Sequence, residues 1–368
     1  MKTVRRLLYR EVIVAVSLVT LGFISLFFFF DFVEELRSIN QIGGLGYKVP
    51  QALIYVSLLV PSHVYELLPI TVLIGTIFVM ARLAQSSEFT ILRTSGLGPW
   101  RALRTLMLLG MGFVVFTFAV GDYITPLADR TAQLLKSQFK GQISVGKTGA
   151  WLKERQAYGN YAVNVGAISP DGNMKDVKIF EFDNQGLLVS TTQGATAKFG
   201  DHDDWWLQGV ERTEFLSADD KASRVDRVFL DQFRWPTLIT TEMVSAAVLK
   251  PERMGTIDLF QYMRHLSQNG QSAQKYEIQF WKKVFYPLSC LVMVVLALPF
   301  AYFHFRSGGI ASYVFGGVMA GISFVLLNNV LGDLGTLQGW QPWFTAALPG
   351  LIYSVLSLTA FSWLVLRR

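Results

Sequence analysis

The sequence predicts an α-helical integral membrane protein with six transmembrane helices and an inserted all-β jelly-roll domain, on three observations. Only 16% of the 368 residues are charged and 51% are hydrophobic, against a usual charged share of about 25%, too few charges for a water-soluble domain to cover its apolar surface. Six apolar stretches approach the width of a bilayer. Between the third and the fourth lies a long polar region of short alternating runs, the pattern of strands. The same balance excludes disorder, collagen and coiled coil. The single cysteine, Cys290, excludes a disulfide framework and cysteine-based zinc sites. A pI near 9.3 points to nucleic acid or to anionic lipid, depending on where the charges lie.

The first span is Val12 to Phe30, nineteen residues without a charge, followed by Asp31. At about 1.5 Å per residue it nearly crosses a hydrocarbon core of about 30 Å. No small-residue cleavage site precedes Asp31, which favours a retained helix over a signal peptide. The second span, Val64 to Met80, is broken only by Glu66 and Pro69, and the third is Leu106 to Val120. Val284 to Phe303, Ile310 to Leu331 and Phe344 to Leu366 complete the six. Gln51 to Val60 is apolar but short and precedes Pro61, so it fits an interfacial helix or a helix extension better than a span.

From Leu127 to Arg253 the chain changes character. Alternating runs such as Tyr161 to Val165, Val177 to Phe182 and Arg227 to Leu230 are separated by turn clusters at Ser169 to Asn173, Asp183 to Gly186 and Gly200 to Asp204. That spacing reads as an antiparallel β sandwich or jelly roll outside the bilayer. The expected organisation is a membrane domain over 1–126, a β domain over 127–253 and a second membrane domain over 254–368.

Charge sets the orientation. With the N-terminus in the cytoplasm, the short cytoplasmic segments hold eleven basic residues, among them Arg5, Arg6, Arg10, Arg82, Arg93, Arg101 and Arg104, and the short external segments hold six. The positive-inside rule then puts both termini in the cytoplasm and the β domain outside it, in the periplasm of a Gram-negative cell. Leu127 to Arg253 carries 16 basic and 17 acidic residues, so the net charge of +6 resides in the membrane part. It is a record of topology, and no nucleic-acid partner is expected.

Two motifs stand out. Gly141 to Thr148 matches the P-loop pattern GxxxxGK[ST] letter for letter. A P-loop needs a strand before it and a helix after it. Here Gln133 to Lys140 reads as an amphipathic helix and Ala150 to Val165 as opening strands, so coincidence is the expectation. The segment from Ala81 to Gly96 carries more. Ser86 or Ser87 can cap a short helix, Glu88 sits in its positively polarised first turn, and Gly96 can close it. Phe89, Leu92 and, less well, Ile91 give it an apolar edge. Such a helix, about residues 84–95, can dock on a partner; from spacing alone a solvated connecting loop is an equal reading.

The run Ala84-Gln85-x-Ser87-Glu88-Phe89, ending in Arg93-x-Ser95-Gly96, resembles the coupling segment of the lipopolysaccharide-export permeases, the LptF/LptG (YjgP/YjgQ) family. The resemblance covers the whole chain. It includes Gly121-Asp122-x-x-x-Pro126, Ala195-Thr196-Ala197-Lys198-Phe199 with a following Trp206, and Arg306-Ser307; the Ala-Thr-Ala-Lys-Phe run is closer to the LptG branch. The six-span layout with a central periplasmic jelly roll is similar too.

The resemblance implies a transport subunit with no catalytic residue, metal or bound cofactor of its own. Ala84, Gln85, Ser87, Glu88, Phe89, Arg93, Ser95 and Gly96 would dock on a dimer of the cytoplasmic ATPase LptB, which uses the ATP and magnesium. A second permease of the LptF kind would face this one around a cavity that takes lipopolysaccharide from the inner membrane toward a periplasmic bridge. The single helix of LptC would insert at a lateral gate. Arg37 and Lys136 fall on basic positions of the family and would hold lipid A phosphates through charge-assisted hydrogen bonds; ordinary snorkelling is the plain alternative. Ser38 and Asp31 stand where a relative has basic residues, and a carboxylate repels phosphate. Phe27, Phe30, Ile310 and Phe315 would line an apolar cavity.

Other polar residues have simpler readings. Lys282 and Lys283, beside Trp281, either extend a basic rim or anchor a helix. Glu66 pairs with Arg37 or Lys48 or is an interfacial carboxylate, and Asn328 and Asn329 hydrogen-bond between helices. His63, His202, His265 and His304 lack metal-ligand spacing. A glycolipid-modifying enzyme would need convergent acid, base or nucleophile groups at one bilayer depth, and no such set is visible. A passive membrane scaffold is the structural alternative.

Overall fold

The computed structural model describes residues 2–42, 47–94, 96, 98–140, 143–144, 149–156, 159–168, 173–183, 185–200, 204–218, 222–240, 243–244, 251, 254–302 and 310–363. Among them six helical segments are long and apolar enough to cross a membrane: Val4–Ile39, Val49–Gln85, Pro99–Lys136, Gln274–Tyr302, Ala311–Gln338 and Pro342–Phe361. They belong to α1 (Lys2–Ile42) and α2 (Val49–Gln85), then to α4 (Pro99–Ala119) and α5 (Thr125–Lys140), which are joined by a π-helical turn at Val120–Ile124. Gln51 to Val60 is the opening of α2, so it is a helix extension, and Pro61 and Pro69 lie inside that helix. Between α2 and α4 comes the short α3 (Glu88–Thr94).

The fourth span is segmented where its prolines remove backbone donors. α7 (Gln274–Phe285) passes through a 3₁₀ turn at Tyr286–Leu288, then α8 (Ser289–Ala297), then a second 3₁₀ turn at Leu298–Tyr302; Pro287 and Pro299 sit in those turns. α6 (Thr256–Gln268) precedes it, and α9 (Ile310–Gln338) and α10 (Pro342–Phe361) follow.

The chain forms two compact units, one of Met1–Glu35, Val56–Ala128 and Glu277–Arg368, the other of Leu36–Tyr55 and Asp129–Tyr276. The helical unit packs Val12 and Val16 of α1, Val72 and Val79 of α2, Leu106 of α4 and Val294 of α8 into one core. Small residues let backbones approach where lipid supplies no hydrophobic drive. A Cβ added at Gly75 would lie 2.8 Å from the Val16 backbone, and Cβ atoms at Gly317 and Gly321 would strike Ile77 and Ile70 at 2.7 and 2.9 Å.

The second unit contains an antiparallel sheet of β1 (Ile143–Ser144), β2 (Ala150–Gln156), β3 (Gly159–Ile168), β4 (Met174–Phe182), β5 (Leu188–Phe199), β6 (Asp204–Ala218) and β7 (Ala222–Pro236). β1 and β2 share one edge of β3, and from β2 onward each strand pairs with its sequence neighbour. Alternate residues, among them Val163, Val165, Ile179, Leu207 and Trp235, bury one face. The sheet rolls until its start holds the chain leaving its end. Glu154 of β2 accepts the Thr237 hydroxyl and, at 2.8 Å, the Leu238 N–H, and Gln156 donates to the Pro236 carbonyl at 2.9 Å. The expected inserted all-β domain is this rolled sheet. The helix α5 before β1 and the strand β2 after it are the reverse of a P-loop's order; apart from Ile143 and Ser144, the Gly141–Thr148 motif lies outside the described residues, as do His202, His304, Arg306 and Ser307.

Candidate functional site

The segment with the coupling pattern is a helix, but neither serine caps it through its side chain: the Ser86 hydroxyl donates back to the Leu83 carbonyl at 3.4 Å, and Ser87 acts through its backbone. Ser87 takes a left-handed backbone, φ 61°, which breaks α2 from α3, and its carbonyl accepts the Ile91 N–H at 3.2 Å. Gly96, φ 100°, ends the segment with its N–H on the Arg93 carbonyl at 3.0 Å. Phe89 is only 3% exposed and meets the Tyr302 ring edge-on at 5.1 Å between centroids. The Arg93 guanidinium lies over the same ring, 5.4 Å from its centre. Leu92 packs on the same core, whereas Ile91 is 62% exposed. The apolar edge is therefore split: Phe89 and Leu92 seat the helix on the end of the fourth span, and Gln85, Ser87, Glu88 and Ile91 face outward. Ala84 is half-buried, and Ser95 lies outside the described residues. Glu11 and Arg82 tie α1 to α2 nearby at 2.7 Å.

The expected substrate residues are dispersed. Phe27 and Phe30 lie on α1 and Phe315 on α9, each with substantial exposure; among the described residues Phe315 makes no ring contact with the other two. The side chain of Ile310 lies outside the described residues. Arg37 is exposed, while the Lys136 ammonium sits 4.4 Å above the Tyr55 ring.

Three polar residues take positions that sequence reasoning missed. Asp31 is held by His63 at 2.6 Å, with the Phe27 ring 5.0 Å from the imidazole. A signal was available: two polar residues in apolar helices, roughly equidistant from the α1–α2 connection, are opposed in an antiparallel pair. Lys283 is 5% exposed and donates to the Gly121 carbonyl at 3.2 Å, so it is turned into the bundle and is no part of a basic rim. That carbonyl lies in the π-helical turn, where Tyr65 packs so closely that a Cβ on Gly121 would collide with its ring. Glu66 contributes its backbone carbonyl as acceptor for the Tyr286 hydroxyl at 2.6 Å.

Outside the spans, shifted ionisations belong to packing. Burial, reinforced by Glu181, raises the Tyr161 hydroxyl to about 12. Burial raises Tyr262 and lowers His265. Among the described residues no group of histidine, cysteine and carboxylate side chains could hold a metal.

Comparison with known proteins accounts for this layout. Residues 6–366 match the family described as lipopolysaccharide export system permease LptF/LptG. Haemophilus influenzae has a protein named lipopolysaccharide export system permease protein LptG that is 27% identical over 369 residues, covering all of this chain and 99% of the relative. The Escherichia coli K12 protein of the same name is 27% identical over 348 residues, 94% of this chain and 92% of the relative. With six membrane-length helices, an inserted β domain and a match across nearly its full length, this chain belongs to the LptF/LptG permease family.

Proposed function

We propose that the chain is a permease subunit, of the LptG kind, of an ABC transporter that extracts lipopolysaccharide from the inner membrane and passes it toward a periplasmic bridge. The observation that carries this reading is the seating of α3: Phe89 and Arg93 grip Tyr302 at the end of the fourth span while Glu88 and Ile91 face outward. A partner that pulls on Glu88 moves a helix keyed to a span, so force passes through packed side chains. The partner is an LptB-like ATPase dimer, which hydrolyses ATP with magnesium. An LptF-like permease would complete the cavity and an LptC-like helix would enter at its lateral gate. Positive-inside charge supports cytoplasmic termini and a periplasmic sheet. Arg37, with Lys136 behind Tyr55, would hold lipid A phosphates, and the exposed Phe27, Phe30 and Phe315 would face acyl chains or the second permease. The Asp31 carboxylate is engaged by His63 of the neighbouring helix rather than turned toward the proposed phosphate site.

The test is purification in mild detergent. A co-purifying ATPase is expected, and Glu88→Lys should abolish ATP-driven lipopolysaccharide release while the permease stays folded. Unchanged release in that variant would overturn the assignment of α3. Arg37→Glu and Lys136→Glu should weaken crosslinking to lipopolysaccharide; equal crosslinking removes them from the site.

A further inference from the structure

Tyr9 of α1 donates its hydroxyl hydrogen to the Thr105 carbonyl of α4 at 3.1 Å. These helices are the first and third crossings, so they run the same way. One turn before that contact, about 6 Å along each axis, stand Arg5 on α1 and Arg101 on α4, with Arg6 and Arg104 beside them. All four are exposed. Among the described residues none is in an ion pair, since the nearby Glu11 is taken by Arg82 at 2.7 Å. Arg101 spends one nitrogen on the Gly96 carbonyl at 3.0 Å. Trp100, 65% exposed, marks a membrane–water boundary at this level. One turn past the Tyr9–Thr105 contact the exposed residues become alkyl: Ile13 on α1 and Leu108 on α4. Two adjacent helices thus present the same series, from guanidinium to hydrocarbon, in register.

Topology alone requires cations somewhere at this boundary; it does not require them paired across two helices above exposed alkyl side chains. An ion such as free phosphate would use only the first half of the series. An anionic lipid uses all of it, and basic pockets between transmembrane helices are a known chemistry for lipid headgroups. We propose that the α1–α4 seam binds an anionic phospholipid of the surrounding leaflet. The Arg5 and Arg101 guanidinia take its phosphodiester, Arg6 and Arg104 neutralise the remaining field, and the acyl chains run along Ile13 and Leu108. This lipid is a resident of the permease rather than its cargo, and its binding is measured without transport, so the two readings fail separately.

The experiment uses the full chain, with whatever partners co-purify, in micelles doped with phosphatidylglycerol or with phosphatidylcholine. Native mass spectrometry should show preferential retention of phosphatidylglycerol, declining as salt is raised. Each arginine removed should weaken retention about fivefold, so R101Q/R104Q should lose about 25-fold. Equal retention of phosphatidylcholine, or no change in R101Q/R104Q, overturns the proposal and leaves the arginines a purely topological role. Displacement by inorganic phosphate at concentrations matching the lipid also overturns it, because the site would then read phosphate alone. If R101Q/R104Q cannot be purified, R104Q alone and the salt series on the unaltered chain decide.

Discussion

In the sheet unit Arg227 meets Glu211 at 2.9 Å on a largely exposed surface. In the helical unit Asp31 meets His63 at 2.6 Å, and Lys283 reaches the Gly121 carbonyl at 3.2 Å, each joining two different helices. The first kind of pair competes with water, which solvates both partners well and leaves little net gain. In the second, lipid or packed side chains replace water, and a polar group without a partner is expensive. Asp31, His63 and Lys283 are therefore ties between helices, whereas exposed ion pairs of the sheet surface are mostly solvation. Glu154, a buried polar residue of the sheet, behaves like a bundle residue: it is 2% exposed and fastens the start of the roll to its end.

That contrast can be broken by four measurements. Glu154→Ala should have the largest effect, about 2–3 kcal/mol, because it orphans the Thr237 hydroxyl and the Leu238 N–H; denaturant unfolding followed by tryptophan fluorescence reads it. A loss under about 0.5 kcal/mol would place Glu154 with the surface pairs. A double-mutant cycle of Asp31→Asn and His63→Ala should return a coupling of about 1 kcal/mol in detergent thermal unfolding; additivity would dissolve the clasp between α1 and α2.

Protonation of His265 is the next effect in size. Burial holds its pKa below the ordinary value of about 6.5. As pH falls below that value the unfolded chain takes up a proton that the folded chain refuses. Stability of the sheet unit is then full above about pH 6.5 and declines toward the folded pKa. Hydrogen exchange of β2 between neutral and mildly acidic pH should show the decline, and His265→Gln should flatten it. The smallest effect is expected for Arg227→Ala, under about 0.5 kcal/mol; a larger loss by the same unfolding assay would mean that the sheet surface is not simply solvated.

Much of the architecture was legible. Val12 to Phe30 is a span by length and charge alone, and the alternation at Val177 to Phe182 is a strand in β4. At the coupling segment spacing alone left a short helix and a solvated loop as equal readings, and the structure makes Glu88–Thr94 a helix. The opening of α2 was open between two readings, and packing through Pro61 into one helix settled it. The candidate site was legible only in part. Phe89 was visible as apolar, but its seat on Tyr302 joins residues 213 positions apart. Lys283 beside Trp281 reads as an interfacial anchor, and only the facing π-helical turn makes it an internal one.

The amino-acid sequence by itself determined the existence of the spans and strands and the distribution of charge, because periodicity and net charge act within a few residues or through composition. Tertiary structure alone decided which polar groups meet: Asp31 with His63, Lys283 with Gly121, Glu154 with the chain beyond β7. The physical reason is that a side chain's partner depends on which face of which neighbour is packed against it. That is a property of helix and strand faces brought together from distant parts of the chain, and no local pattern carries it.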